Sequence, residues 1–121
     1  MNIGIVYNKN LATLFQWRDR AGVFYFAKDM KTSHLFYVLR MIWNHTMPKD
    51  AKLKPYQKYK FSKFYTEEYM CKAIKSLYQE LKTRPDLTHR WKSDLEWMSN
   101  YVNLKVAQVD KISVERVLIE D

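Results

Sequence analysis

Three histidines are the side chains of this sequence best suited to proton transfer or metal binding, and their spacing limits both. His34 and His45 lie 11 residues apart, about three helical turns, so on a helix they share a face at a separation of roughly 16 Å. His89 is remote in sequence. Because this spacing does not let two imidazoles hold one ion, we expect no metal and no cofactor. Both helical histidines are interpreted as half-buried, hydrogen-bonded residues beside an apolar stripe.

The other potential catalytic groups are isolated. Ser33 adjoins His34, but neighbouring helical side chains point about 100° apart and form no nucleophile–base pair. Cys71 is the single cysteine, and we expect a small packed thiol. With only two glycines, the chain cannot contain the glycine-rich phosphate-binding motifs. We therefore expect no catalytic residue. The alternative is a metal-independent ribonuclease that uses His34 or His45 with a nearby lysine or arginine.

Positive charge is concentrated in the first half of the chain. Residues 1–63 contain 12 Lys and Arg against three acids, whereas residues 64–121 contain nine against ten. The densest part, residues 49–65, alternates lysines with tyrosines and phenylalanines. Ammonium groups attract phosphates, and aromatic faces stack on bases. The candidate binding residues are Arg40, Lys49, Lys52, Lys54, Tyr56, Lys58, Tyr59, Lys60 and Lys63.

Two interpretations of residues 49–65 remain open. The segment can be a solvated connection whose aromatic rings fold back onto the core, since clustered surface charge is common. It can instead be a binding surface, and the expected partner is then a nucleic acid or nucleotide, or an acidic bacterial protein. Arg40 would join this surface from the exposed side of the first helix.

The patterning predicts an α+β fold, with an N-terminal β-hairpin or small antiparallel sheet packed against three helices. Residues 11–18 and 23–27 are rich in β-forming types and flank Asp19 and Gly22. These two fit the first and last positions of a type I turn, where glycine supplies the positive φ that rejoins the strands. Phe24 and Phe26 should lie on the face opposite Tyr25.

The first helix is predicted to begin near Asp29, Thr32 or Ser33, each of which can cap free amides, and to stop before Pro48. Its apolar stripe contains Leu35, Val38, Leu39, Ile42 and Thr46. Its outer face is expected to carry Tyr37, Arg40 and Asn44.

A second helix is predicted from Thr66 to just before Pro85, and a third is capped by Asp86 or Thr88. Between the first two helices lies a connection with at most one short turn. Residues 110–120 suit either a strand or a helical turn; we favour a closing strand.

The length predicts a single domain covering residues 1–121. One cysteine excludes a disulfide framework, and no apolar run approaches the roughly 20 residues that cross a bilayer. We therefore expect a cytoplasmic protein without a membrane partner.

The run from Asp29 to Leu35, with the sequence DMKTSHL, is followed by VLRMI at residues 38–42. Together with the preceding hairpin, it resembles short, largely uncharacterised proteins of tailed bacteriophages, over about residues 15–43. Many of those proteins have Asn two positions after the leucine, where this chain has Tyr37. The resemblance implies a phage or prophage origin and carries over no activity and no catalytic residue.

Charge and resemblance together predict a small, non-catalytic, basic binding protein of phage type. It would act in the cytoplasm of the bacterial host on a host target, inhibiting a defence or regulatory system by binding a nucleic acid, a nucleotide or an acidic protein surface.

Overall fold

The computed structural model describes residues 15–54 and 58–103. In chain order these form strand β1 (Gln16–Arg18), strand β2 (Phe24–Phe26), helix α1 (Thr32–Thr46), helix α2 (Glu67–Lys82) and a third helix, α3, over residues 89–103. Short 3₁₀ turns at Ala27–Asp29 and Lys49–Ala51 follow β2 and α1. The predicted α+β arrangement of a hairpin followed by three helices is confirmed.

The hairpin closes through the predicted turn. The N–H of Gly22 donates to the carbonyl of Asp19 at 3.0 Å, and Gly22 has a φ of 85°. The Asp19 carboxylate accepts a hydrogen bond from the N–H of Val23 at 2.9 Å. Trp17 pairs with Tyr25 and Arg18 with Phe24, so Phe24 lies on the face opposite Tyr25, as the alternation predicts.

Tyrosines from the second half of the chain cover the other edge of β1. The Tyr69 hydroxyl accepts from the N–H of Arg18 at 2.9 Å and donates to the carbonyl of Gln16 at 2.6 Å. The Tyr65 hydroxyl donates to the carbonyl of Arg18 at 2.8 Å. These bonds satisfy backbone N–H and C=O groups that would otherwise be free to pair with a third strand. They also fix the hairpin against α2.

Helix α1 begins without any of its three predicted side-chain caps. Its N-cap is Lys31, which makes no side-chain cap bond. The Thr32 hydroxyl instead donates to the carboxylate of Asp86 at 2.8 Å, because α1 starts beside the loop that leads to α3. The helix ends before Pro48, as predicted, and its buried face is wider than the predicted stripe, since Phe36 and Trp43 are also buried.

The outer-face assignment of Asn44 is wrong. Its side chain is buried because the chain after α1 folds back over it: its amide oxygen accepts from the N–H of Leu53 at 2.6 Å, and its amide nitrogen donates to the carbonyl of Leu53 at 3.0 Å. The indole N–H of Trp43 donates to the carbonyl of Ala51 at 2.7 Å. Two side chains of α1 thus fix the first part of the connection.

Helix α2 is capped by Thr66, as predicted; its hydroxyl oxygen accepts from the N–H of Tyr69 at 3.1 Å. Its apolar face packs on α1 to form the core. The apolar residues at helical spacing on this face are buried throughout: Met70, Ala73, Ile74, Leu77 and Leu81. Cys71 lies on the solvent side, so the expectation of a packed thiol is wrong.

Arg84, just after α2, joins three parts of the fold. Its guanidinium forms a salt bridge with Glu80 at 3.1 Å and donates to the carbonyls of Ala27 and Lys28 at 3.1 and 3.2 Å. It also donates to the hydroxyl of Thr32 at 3.3 Å. This contact holds the turn after β2 against the end of α2.

Asp86 and Thr88 were the two predicted caps for α3, and Thr88 caps the helix. Its hydroxyl oxygen accepts a hydrogen bond from the N–H of Trp91 at 3.1 Å. Leu95, Met98 and Tyr101 are buried. The prediction for residues 110–120 lies outside the described residues. Within residues 15–54 and 58–103, none of the helices combines the length and apolar composition needed to cross a bilayer.

Candidate functional site

The lysine-rich connection, defined as residues 48–65, presents most of its predicted binding residues to solvent. Five of its six lysines are exposed, and within the described parts of the chain none of the five forms a salt bridge. They are Lys49, Lys54, Lys58, Lys60 and Lys63. Tyr56 lies outside the described residues. The segment contains a 3₁₀ turn at Lys49–Ala51 and a second turn near its end, where the N–H of Tyr65 donates to the carbonyl of Ser62 at 3.1 Å, so the expectation of at most one short turn is wrong.

Two predicted binding residues are engaged by the fold. The ammonium group of Lys52 donates to the carbonyl of Asn44 in the last turns of α1, where helix carbonyls lack intrahelical partners. Arg40 was expected on the exposed face of α1 but is half-buried. It lies within electrostatic range of Asp94, where burial raises the pKa of the carboxyl and the charges of Arg90 and Arg40 only partly offset that rise. Both cations therefore have structural partners.

The aromatic rings of the connection divide into two groups. Phe61 and Tyr65 are half-buried against the core, as expected of a connection whose rings fold back. Tyr59 and Phe64 remain 43% and 41% exposed beside the free lysines. The half-buried rings fit a connection that folds back onto the core, and the exposed rings fit a binding surface.

The outer side of the hairpin meets the connection at Phe64. We call the side chains of Arg18, Phe24, Phe26 and Lys28 the hairpin face. The Phe24 ring lies 6.2 Å from the Phe64 ring at an interplanar angle of 76°, and the Arg18 guanidinium sits 4.6 Å from the Phe64 ring centre. The Lys28 ammonium lies 5.6 Å from the ring centre of Phe26. Basic and aromatic groups therefore continue from the connection onto the hairpin.

The histidines are exposed, so their interpretation as half-buried residues is wrong. The ring of His34 lies 6.0 Å from Tyr25, and that of His45 lies 4.4 Å from Phe61. His45 borders the connection, whereas His34 borders the hairpin. Within the described residues, no group of three His, Cys, Asp or Glu side chains is placed to hold a metal ion.

The pKa shifts in this region reflect how the hairpin is held. The hydrogen bond from the N–H of Val23 lowers the pKa of Asp19, so the turn favours its carboxylate form. The hydrogen bond to Asp19 raises the pKa of Tyr25. Burial raises the pKa of Tyr69, which keeps the neutral hydroxyl that bonds to β1. These groups support the hairpin face.

The four residues of the hairpin face were not among the predicted binding residues. The alternation placed Phe24 and Phe26 on one side of their strand, but the charge count directed attention to residues 49–65. The signal that could have identified the site was Arg18 and Lys28 flanking two phenylalanines of that side. The contacts of Phe24 and Arg18 with Phe64 join residues that are 40 or more positions apart in the sequence.

A comparison of the chain with protein-family models, with curated proteins and with solved structures found no match to any of them.

Proposed function

We propose that the protein is a non-catalytic nucleic-acid-binding protein and that the lysine-rich connection is its main phosphate-binding surface. The observation that carries the proposal is the pairing of five exposed lysines, without salt bridges in the described chain, with the exposed rings of Tyr59 and Phe64. Lysines free of acidic partners can release counterions on meeting phosphates, which is the main source of affinity for nucleic acids.

The biological setting is also part of the proposal. The resemblance of residues 15–43 to phage proteins and the basic charge favour a phage product that acts in the cytoplasm of its bacterial host. There, binding of a nucleic acid would inhibit a defence or regulatory system.

Salt dependence tests the phosphate contacts. A labelled single-stranded oligonucleotide, titrated with the protein at several salt concentrations, should give an affinity whose logarithm falls linearly with log salt. Contact with about four phosphates predicts a slope near −3. A slope near zero would contradict the proposal, as would tight binding to an acidic host protein with none to oligonucleotides.

Charge reversal tests the location. The triple variant Lys54→Glu, Lys58→Glu and Lys60→Glu should lose oligonucleotide binding while its free energy of unfolding changes by less than about 0.5 kcal/mol per site, because all three side chains are exposed. Unchanged binding would show that the connection is only a linker.

A matched control carries the same change of charge elsewhere. Lys75→Glu, Lys82→Glu and Lys92→Glu alter exposed lysines of α2 and α3. This variant should keep most of the affinity. Equal losses in the two triple variants would mean that net charge, rather than the connection, drives binding.

The alternative function, a metal-independent ribonuclease, predicts a different result. Among the described residues, His45 is the histidine that lies beside the connection, through its contact with Phe61. RNA cleavage in excess EDTA that disappears in His45→Gln with the fold intact would favour the nuclease. We expect no cleavage and unchanged RNA binding in that variant.

A further inference from the structure

The hairpin face carries two aromatic rings and two cations. Phe24 and Phe26 stand two residues apart on β2, so their side chains project from the same side of the strand and their Cα atoms are about 7 Å apart. Lys28 lies over Phe26, and Arg18 is paired opposite Phe24. Each ring thus has a cation beside it.

Arg18 and Phe24 are held close together by the hydrogen-bond pattern. The N–H of Arg18 points away from β2, toward the hydroxyl of Tyr69. Arg18 and Phe24 are therefore a non-hydrogen-bonded antiparallel pair, the kind in which the side chains approach most closely. The turn and the two tyrosines that bond to β1 keep this pair in place without using its outer surface.

Phe64 extends the hairpin face into the lysine-rich connection. The rings of Phe24 and Phe64 are nearly perpendicular, at 76°. A planar group lying flat on Phe24 would therefore be nearly perpendicular to the ring of Phe64. Phe24 leaves 49% of its surface exposed. By contrast, Trp17, on the other side of the hairpin, is buried.

We infer that the hairpin face binds a single-stranded nucleic acid by stacking unpaired bases on the exposed ring of Phe24 and on the accessible part of the half-buried ring of Phe26. Arg18 and Lys28 contact the neighbouring phosphates, and the strand continues past Phe64 along the connection. Exposed aromatic rings beside cations bind single strands because every unpaired base offers a stacking face, whereas the bases of a duplex are already stacked on each other. The inference rests on the proposed function and adds to it the strandedness of the ligand and a second surface.

The test compares labelled oligonucleotides of about 12 nucleotides, as single-stranded DNA, single-stranded RNA and DNA duplex, by fluorescence anisotropy. Wild-type protein should bind a single strand at least about tenfold more tightly than the duplex. Phe24→Ala should weaken single-strand binding by about tenfold to a hundredfold, the range for loss of one base–ring stack. Its salt slope should stay unchanged, because Phe24 carries no charge. Phe24→Trp should retain binding, and the new indole should be quenched by the single strand.

Tyr37→Ala is the matched control, since Tyr37 is another exposed ring, 56% exposed, on α1. It should bind like wild type. The inference is overturned if Phe24→Ala binds the single strand as wild type does, or if duplex and single strand bind equally. In either case, loss of binding in the Lys54, Lys58 and Lys60 triple variant would still support the proposed function. Absence of binding to every oligonucleotide overturns both.

Discussion

Two surfaces of this protein expose aromatic rings, and they differ in what the rings touch. On the hairpin face and at Phe64, the ring neighbours are Arg18 and Lys28. On the helical surface, formed by Tyr37, Trp91 and Trp97 where α3 lies beside α1, the rings serve packing. Trp91 stacks on buried Phe36 at 5.0 Å, and the indole of Trp97 donates to the carbonyl of Ala51 at 3.3 Å.

The charges of the two surfaces also differ. On the helical surface, Asp94 lies within electrostatic range of both Arg40 and Arg90. The hairpin face instead continues through Phe64 into the lysine-rich connection, where five lysines are without salt bridges among the described residues. Exposure of aromatic rings therefore does not distinguish the two surfaces, whereas the cations beside the rings do. By this criterion Arg40 belongs to the helical surface.

Trp91→Ala should give the largest effect of the substitutions that separate the two surfaces. It removes the stack on Phe36 and the edge contact with Tyr37, so the free energy of unfolding should fall by about 2–3 kcal/mol. Urea denaturation measures the loss. Oligonucleotide binding by the folded fraction should be unchanged. A stable Trp91→Ala protein that no longer binds would place the site on the helical surface instead.

Gly22→Ala should give an intermediate effect, confined to the hairpin. At a φ of 85° an alanine is strained, which costs about 1 kcal/mol, while its Cβ would meet the Arg18 guanidinium only at an ordinary 3.6 Å. Single-strand binding should weaken as the hairpin loosens. Gly22→Asn should lose less stability, because asparagine tolerates this conformation better. Equal losses in both variants would point to a clash rather than backbone strain.

The elements of the fold were predictable because their signals are local. The Asp19–Gly22 turn, the Thr66 cap and the stripe of α2 each depend on residues a few positions apart. The wrong expectations concern contacts across the chain. Asn44 is buried by Leu53, and Thr32 bonds to Asp86 instead of capping α1. The helical periodicity of α1 does not identify these partners, because Leu53 and Asp86 lie outside that helix.

The candidate site was predictable to the same extent. Its lysines are dense in sequence, so charge counting found them. Charge counting could not show that Lys52 is bound to the carbonyl of Asn44, or that Phe24 meets Phe64 across 40 residues. The first contact ties a predicted binding residue to the fold, and the second brings the hairpin face beside the connection.

Asp94→Asn should give the smallest effect and tests the charge balance of the helical surface. Burial raises the pKa of Asp94 above its ordinary 3.8, although Arg90 and Arg40 both lower it. The folded state therefore holds the Asp94 proton more tightly than the unfolded state does. Between the unfolded and the folded pKa, the folded protein binds more protons, so this group's contribution to the free energy of unfolding falls as pH rises, and it stays constant above that window.

Asparagine mimics the protonated side chain at every pH, which makes the comparison direct. Near pH 3.5 the Asp94→Asn variant and wild type should be almost equally stable. Near pH 6 the variant should be more stable by less than about 0.5 kcal/mol, and its oligonucleotide affinity should be unchanged. Urea titrations at the two pH values measure the difference. A variant less stable than wild type near pH 6 would mean that attraction to Arg40 and Arg90 outweighs the burial of Asp94, and the helical surface would then be held by its charges as much as by its rings.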